Sequence, residues 1–182
     1  NTDTVILVPD QYLAKNVAAQ TDIRIMTWPG ACEVHEMFNA DDVHQLREAH
    51  PGVVILAHPE CPPEVLEAAD YAGSTAALAN YVSEKSPNKV VLLTECSMSD
   101  NVAAENPGVN FIRPCNLCPH MKRITLENIY DCLVTGEHEV TIAEEVRIRA
   151  KQALDAMMAL PKMDKPLDFV TGLEPLEIEM VV

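Results

Sequence analysis

The sequence predicts an α/β fold built on parallel sheets and followed by C-terminal helices. Three observations carry that expectation. Short apolar runs of β-branched residues alternate with amphipathic or alanine-rich stretches, as βαβ units require. Helix-start residues recur where each alternating stretch begins. After Cys118 the alternation stops and helical periodicity takes over.

Taken in order, Val5-Ile6-Leu7-Val8 predicts a strand over 4–8, and Asp10 is placed to start a helix over 10–19. A second strand follows over 23–27. Asn39 precedes a helix over 40–49, and the apolar run beginning at Val53 predicts a strand over 53–57. Pro62-Pro63 stands where a first helical turn tolerates proline, opening a helix over 63–69. A short strand over 71–73 leads through Ser74 into a helix over 75–85. Strands over 89–94 and 110–112 flank a helix over 101–105. Beyond Cys118, a helix over 125–134 stops at Gly136. A longer one over 141–160 carries Ile142, Val146, Ala150, Ala153, Leu154 and Met157 on one face, with Thr141 and Glu144 as a capping box. Residues 161–182 mix acidic and apolar residues with prolines and are expected to form a loosely ordered tail. Trp28, Met157, Met158 and Cys132 are expected to pack in the core.

Composition narrows the function. The 182 residues carry 28 acidic and 13 basic side chains, a net charge of −15, so a phosphate backbone is a poor partner. No apolar run approaches the roughly 18 to 20 residues that span a bilayer, so neither nucleic acid nor membrane is expected as a partner. Six cysteines beside eight methionines, with no secretory pattern, fit a reducing cytoplasm and thiols rather than disulfides. The chain opens at Asn1 and enters a strand at once, from which we expect a fragment of a longer protein.

The segments over 1–35 and 50–118 are related, and each ends near a cysteine at the carboxyl end of a strand, where α/β sheets build their sites. Cys115-Asn116-Leu117-Cys118-Pro119-His120 is the densest cluster. Its C-x-x-C step fits a metal site or a redox pair, and a pair of buried thiols is the alternative. Cys32-Glu33-Val34-His35 offers two more ligand types three residues apart, although on that step alone a structural histidine is the better reading. His58-Pro59-Glu60-Cys61 leaves an apolar strand with an imidazole and a carboxylate two residues apart, suited to substrate contact or proton transfer; a hydrogen-bonded strand-end histidine is the plain alternative. Gly73-Ser74-Thr75 stands at a helix start, fit to bind an anion or simply to cap the helix.

Together, Trp28-Pro-Gly-x-Cys32-x-Val-His35, His58-Pro-Glu-Cys61 with Pro63-Glu-Val65 behind it, Gly73-Ser-Thr75, and Cys118-Pro-x-Met121-Lys122 followed by Ile124-Thr-Leu126 closely resemble the quinolinate synthase family over about residues 5–160. The resemblance implies three similar three-layer α/β domains around a pseudo-threefold axis, each giving one cysteine to a 4Fe-4S cluster. It implies a cytoplasmic enzyme of NAD biosynthesis that condenses iminoaspartate with dihydroxyacetone phosphate into quinolinate, releasing phosphate and two waters. L-aspartate oxidase or aspartate dehydrogenase would supply the iminoaspartate.

By position, Cys32 and Cys118 match cluster ligands, and the third cysteine is expected upstream of this chain. His58 and Glu60 match the substrate-contacting, proton-transferring pair; Ser74 and Thr75 match the residues that bind a substrate carboxylate; His35 matches a histidine beside the second ligand. Cys61 is not a ligand in the family. Cys115 resembles extra cysteines near the third ligand and is expected to form a reversible disulfide with Cys118 when the cluster is absent. On this basis residues 1–35 complete a second domain, 36–118 form a third, and 119–160 are helices that return to the first domain.

The competing expectations are a non-catalytic zinc module using Cys115, Cys118, Cys32 and His35, and a flavodoxin-like binder without metal. The second lacks a glycine-rich phosphate loop.

Overall fold

The computed structural model describes residues 3–160 and 178–180. Asn1–Cys118 together with Leu167–Val182 form one compact unit, and Pro119–Pro166 form another.

The larger unit is α/β with two parallel sheets. In the first, β1 (Thr4–Leu7) crosses over through α1 (Gln11–Ala18) to β2 (Arg24–Thr27), with Thr4 opposite Arg24. β7 (Glu179–Met180) pairs in parallel with the other edge of β2, reinforced by an ion pair between Arg24 and Glu179. The expected tail is thus ordered at residues 178–180; its other residues, 161–177 and 181–182, lie outside the described residues.

A short α2 (Glu33–Glu36) follows, which no sequence signal marked: it is four residues long and Cys32 caps it with no side-chain hydrogen bond. α3 (Ala40–Ala49) then leads into the second sheet, whose order is β4-β3-β5-β6, from β3 (Val54–Ala57), β4 (Tyr71–Ala72), β5 (Lys89–Leu93) and β6 (Asn110–Ile112). The connections are α4 (Pro63–Ala68), α5 (Thr75–Lys85) and α6 (Cys96–Glu105). Strand alternation divides the core between the two faces of the sheet. Ile55, Ala57, Val91 and Leu93 pack with Val43 of α3 and Val65 and Leu66 of α4. Leu56, Val90 and Leu92 pack with Leu78 and Val82 of α5 and Val102 of α6. Continuous apolar runs are what a strand covered on both faces needs, and the result is three layers.

α6 begins five residues before the sequence suggested, because Glu95 caps it by accepting from the Ser97 amide at 2.7 Å. Glutamate is outside the usual capping set, so the start was not recognisable.

The smaller unit holds a 3₁₀ turn at Met121–Arg123, α7 (Leu126–Thr135) and α8 (Glu144–Met158). Thr125 and Asn128 form a capping box on α7, and Gly136 ends it at φ 70°. The expected box at Thr141 is absent; α8 starts after Ala143 without a side-chain cap. No residue of either helix is buried, so Met157, Met158 and Cys132 are surface residues rather than core. Trp28 is likewise exposed, lying beside Gly30.

Candidate active site

From β3 the chain runs outward to β4, then returns across β3 to β5 on its other side. The carboxyl ends of β3 and β5 therefore form a topological switch point, where crevices open in parallel sheets. His58 follows β3, its amide donating to the Leu93 carbonyl at 3.1 Å, and Thr94 follows β5. The candidate site is built here.

His35, carried by α2, reaches into the switch point and is buried. Its Nδ1 lies 3.1 Å from Glu60 Oε2 and its Nε2 3.0 Å from Thr94 Oγ1. Since the carboxylate only accepts, the network assigns a proton to Nδ1, and Nε2 shares a hydrogen bond with the Thr94 hydroxyl. The His58 ring stacks on His35 with centroids 4.3 Å apart and 10° between planes. The Glu60 amide donates to His58 Nδ1 at 3.3 Å, which leaves the other nitrogen of neutral His58 as its N–H donor.

The electrostatics follow. Burial, aided by the neighbouring His35, lowers His58 to about 4, so it is uncharged at neutral pH. The hydrogen bond from His35 holds the Glu60 carboxyl below its ordinary value, keeping it ionised. One ligand atom from each of Cys32, His35 and Glu60 lies within 4.8 Å of the others, a grouping that could hold a metal ion.

Two loops bring the cysteines in. Asp10, at the start of α1, accepts from the Leu13 amide at 2.7 Å and the Cys32 amide at 2.9 Å. Burial pushes its carboxyl above the ordinary range against the pull of those amides. Gly30 fits this turn because an added Cβ would stand 2.6 Å from the Pro9 carbonyl oxygen. Glu95 accepts from the Cys118 amide at 3.4 Å, and a parallel bridge joins Glu95 to Asn116. Asn16 of α1 donates to the carbonyls of Pro59 at 2.8 Å and Cys61 at 3.0 Å, tying the first sheet's helix to the loop that carries Glu60. Thr94-Glu95-Cys96 reads in the sequence only as an ambiguous strand end, and no sequence signal sets Asn16 or Asp10 apart as site residues, because their site partners are distant in the chain.

The structure thus brings His35, His58, Glu60 and Cys32 together. Ser74 and Thr75 are exposed at the start of α5, where Ser74 caps the helix through the Ala77 amide at 3.2 Å. The adjacent Gly73 amide donates to the Ala57 carbonyl, one residue before His58. Cys61 is fully buried, donates to the Leu93 carbonyl, and burial pushes its thiol far up.

The expected Cys115–Cys118 disulfide is not formed. Cys115 is bonded to Cys96, with Cα atoms 5.1 Å apart, because the bridge at Glu95 and Asn116 sets their neighbours side by side; Cys118 is outside the disulfide. The expectation that all the cysteines are thiols fails at that pair, and the zinc module loses Cys115 as a ligand. Among the described residues no helix is long and apolar enough to cross a membrane.

Comparison with known proteins gives the family. Residues 1–159 match the family described as "Quinolinate synthetase A protein". The quinolinate synthase of Caulobacter vibrioides (strain NA1000 / CB15N) is 55% identical over 182 residues, 99% of this chain and 50% of that protein. Quinolinate synthase 1 of Mesorhizobium japonicum is 62% identical over 154 residues, 85% of this chain and 48% of its own length. The Agrobacterium fabrum quinolinate synthase is 58% identical over 156 residues, 86% and 45% respectively. This chain spans about half the length of these curated relatives. It belongs to the quinolinate synthetase A protein family.

Proposed function

We propose that this chain forms part of a quinolinate synthase, condensing iminoaspartate with dihydroxyacetone phosphate to quinolinate, phosphate and two waters in NAD biosynthesis. The observation that carries the proposal is the Glu60, His35 and His58 constellation beside the Cys32 thiol at the switch point, in a chain of this family.

The donor set suits an iron-sulfur cluster. Cys32 and Cys118 are partly exposed and outside the disulfide, and the amide of each donates to a carboxylate, of Asp10 and Glu95 respectively. They would hold a 4Fe-4S cluster with a third cysteine from outside residues 1–182. With three thiolate ligands such a cluster leaves one iron open as a Lewis acid.

The chain's own residues supply the rest. Ionised Glu60 accepts a substrate proton, and neutral His58 offers an N–H to a substrate oxygen. His35, engaged at both ring nitrogens, holds Glu60 in place, and Ser74 and Thr75 bind a substrate carboxylate at the α5 N-terminus. L-aspartate oxidase or aspartate dehydrogenase would supply iminoaspartate, and the setting would be the cytoplasm.

The test uses the protein that carries this chain, reconstituted anaerobically with iron and sulfide. Cys32→Ala and Cys118→Ala should each lose the broad iron-sulfur absorption, while Cys132→Ala keeps it. Glu60→Gln should keep the cluster and lose about 10²- to 10⁴-fold in quinolinate formation. Full absorption in the Cys118 variant, or parental turnover with Glu60→Gln, would refute the assignment. A colourless, zinc-loaded protein would favour the structural module, for which Cys32, His35 and Glu60 are the grouping available.

A further inference from the structure

Two carboxylates in the larger unit repeat one arrangement. Asp10 follows β1 and caps α1, with Oδ1 accepting from the Leu13 amide and Oδ2 from the Cys32 amide. Glu95 stands at the end of β5 and caps α6, with Oε2 accepting from the Ser97 amide and Oε1 from the Cys118 amide. Both side chains are nearly withdrawn from solvent, at 3% and 9% exposure.

Helix capping alone does not require this. Asn39 and Ser74 cap α3 and α5 by accepting from the Asp42 and Ala77 amides, inside their own helices. Burying a carboxylate is costly unless its oxygens are satisfied, and in both cases the second oxygen accepts from a cysteine amide, Glu95 Oε1 taking the Ser97 hydroxyl at 3.4 Å as well. Other cysteine amides are treated differently: that of Cys61 donates to the His58 carbonyl. The two cysteines held by carboxylates are the two half-buried ones outside the disulfide; Cys61 is buried and Cys132 exposed.

Resting on the ligand assignment proposed above, we infer that Asp10 and Glu95 are paired positioning residues that clamp Cys32 and Cys118 for cluster binding. Each does two things. It fixes the cysteine backbone against the N-terminus of a helix, so the sulfur direction is set before metal arrives. It also occupies the amide that would otherwise be free to donate to a cluster sulfur, and places a negative charge behind the ligand. Fewer donors and more negative charge both disfavour adding an electron, so the clamps lower the cluster's reduction potential.

The test compares Asp10→Asn, Glu95→Gln and Asn39→Ala in the anaerobically reconstituted protein that carries this chain. Asparagine remains a good helix cap but presents only one acceptor oxygen, so it serves one amide and not both. Iron release to a ferrous chelator should be about 10- to 100-fold faster in Asp10→Asn and Glu95→Gln, in line with losses from outer-shell changes at metal sites, and the midpoint potential should rise. Asn39→Ala, which removes a cap whose side chain accepts from the Asp42 amide rather than from a cysteine amide, should release iron at the parental rate even where it lowers the unfolding temperature more. Parental release and potential in both carboxylate variants would overturn the inference, as would equal acceleration by Asn39→Ala. Should Asp10→Asn fail to fold, Glu95→Gln decides alone. Cys32→Ala separates the two levels: a full cluster there refutes the ligand assignment, whereas cluster loss there with parental behaviour in both carboxylate variants refutes only the clamp.

Discussion

Replacing Asn16 with alanine should loosen the candidate site without touching any residue that faces it. The amide group of Asn16 is buried and donates both its hydrogens inward, to Pro59 O at 2.8 Å and Cys61 O at 3.0 Å. Those carbonyls flank Glu60, while Asn16 itself sits on the helix whose first residue follows Asp10. Truncation strands two buried acceptors, each costing about 1 to 3 kcal/mol, and returns about 0.5 kcal/mol in helix propensity. Water entering the gap would recover part of the loss, so the net should be roughly 2 to 4 kcal/mol. Equilibrium denaturant unfolding reads this as a lower midpoint at unchanged slope. Asn16→Asp should be worse at neutral pH, since a carboxylate would face two carbonyls. The folded state would then raise that carboxyl's pKa, so part of the stability should return as pH falls and one O–H donor is restored. A midpoint for Asn16→Ala within about 0.5 kcal/mol of the parent would refute this account of how the loop is held.

His58 has a folded-state value of about 4 against an ordinary 6.5, so between those limits the unfolded chain takes up a proton that the folded one refuses. Stability should therefore be complete above about pH 6.5 and fall as the pH drops toward 4, and His58→Asn should flatten that part of the profile; a resonance assigned to the His58 imidazole and titrating near 6.5 in the folded protein would contradict it. Gly30→Ala should cost about 1 to 3 kcal/mol because its Cβ would meet the Pro9 carbonyl oxygen at 2.6 Å, whereas Gly108→Ala, with nothing within 4 Å, should be nearly neutral; thermal unfolding of the pair checks the contrast.

Most of the fold could be read from the residues because the second sheet is covered on both faces. Its strands had to be unbroken apolar runs, and 110–112 was placed to the residue. α3 and α5 were also placed to the residue, since Asn39 and Ser74 are ordinary caps. α6 was cut short because its cap is a glutamate, and α2 was missed because four residues carry no period. At the site, His58 and Glu60 were recognisable as a pair on one strand end. That His35 would bond Glu60 and stack on His58 depends on contacts across 23 to 25 positions of sequence, which no local pattern records. The Cys96–Cys115 pairing was hidden by the nearer Cys118, although the bridge from Glu95 to Asn116 dictates it.

The late return of β7 to the edge of β2 bears on how the protein is made. Glu179 follows Thr27 by about 150 residues, and β7 completes the first sheet from the far side of everything between. At translation rates of about 5 to 20 residues per second, the open edge of β2 waits roughly 8 to 30 seconds for its partner. During that interval it is a row of unsatisfied amides and carbonyls able to recruit a strand from another nascent chain. The second sheet, whose strands all lie between residues 54 and 112, has no such wait. Ribosome-bound chains halted shortly before residue 178 should therefore be more prone to associate than chains halted a little beyond residue 182 by an added linker, and the charged pair of Arg24 and Glu179 marks the point at which that hazard closes.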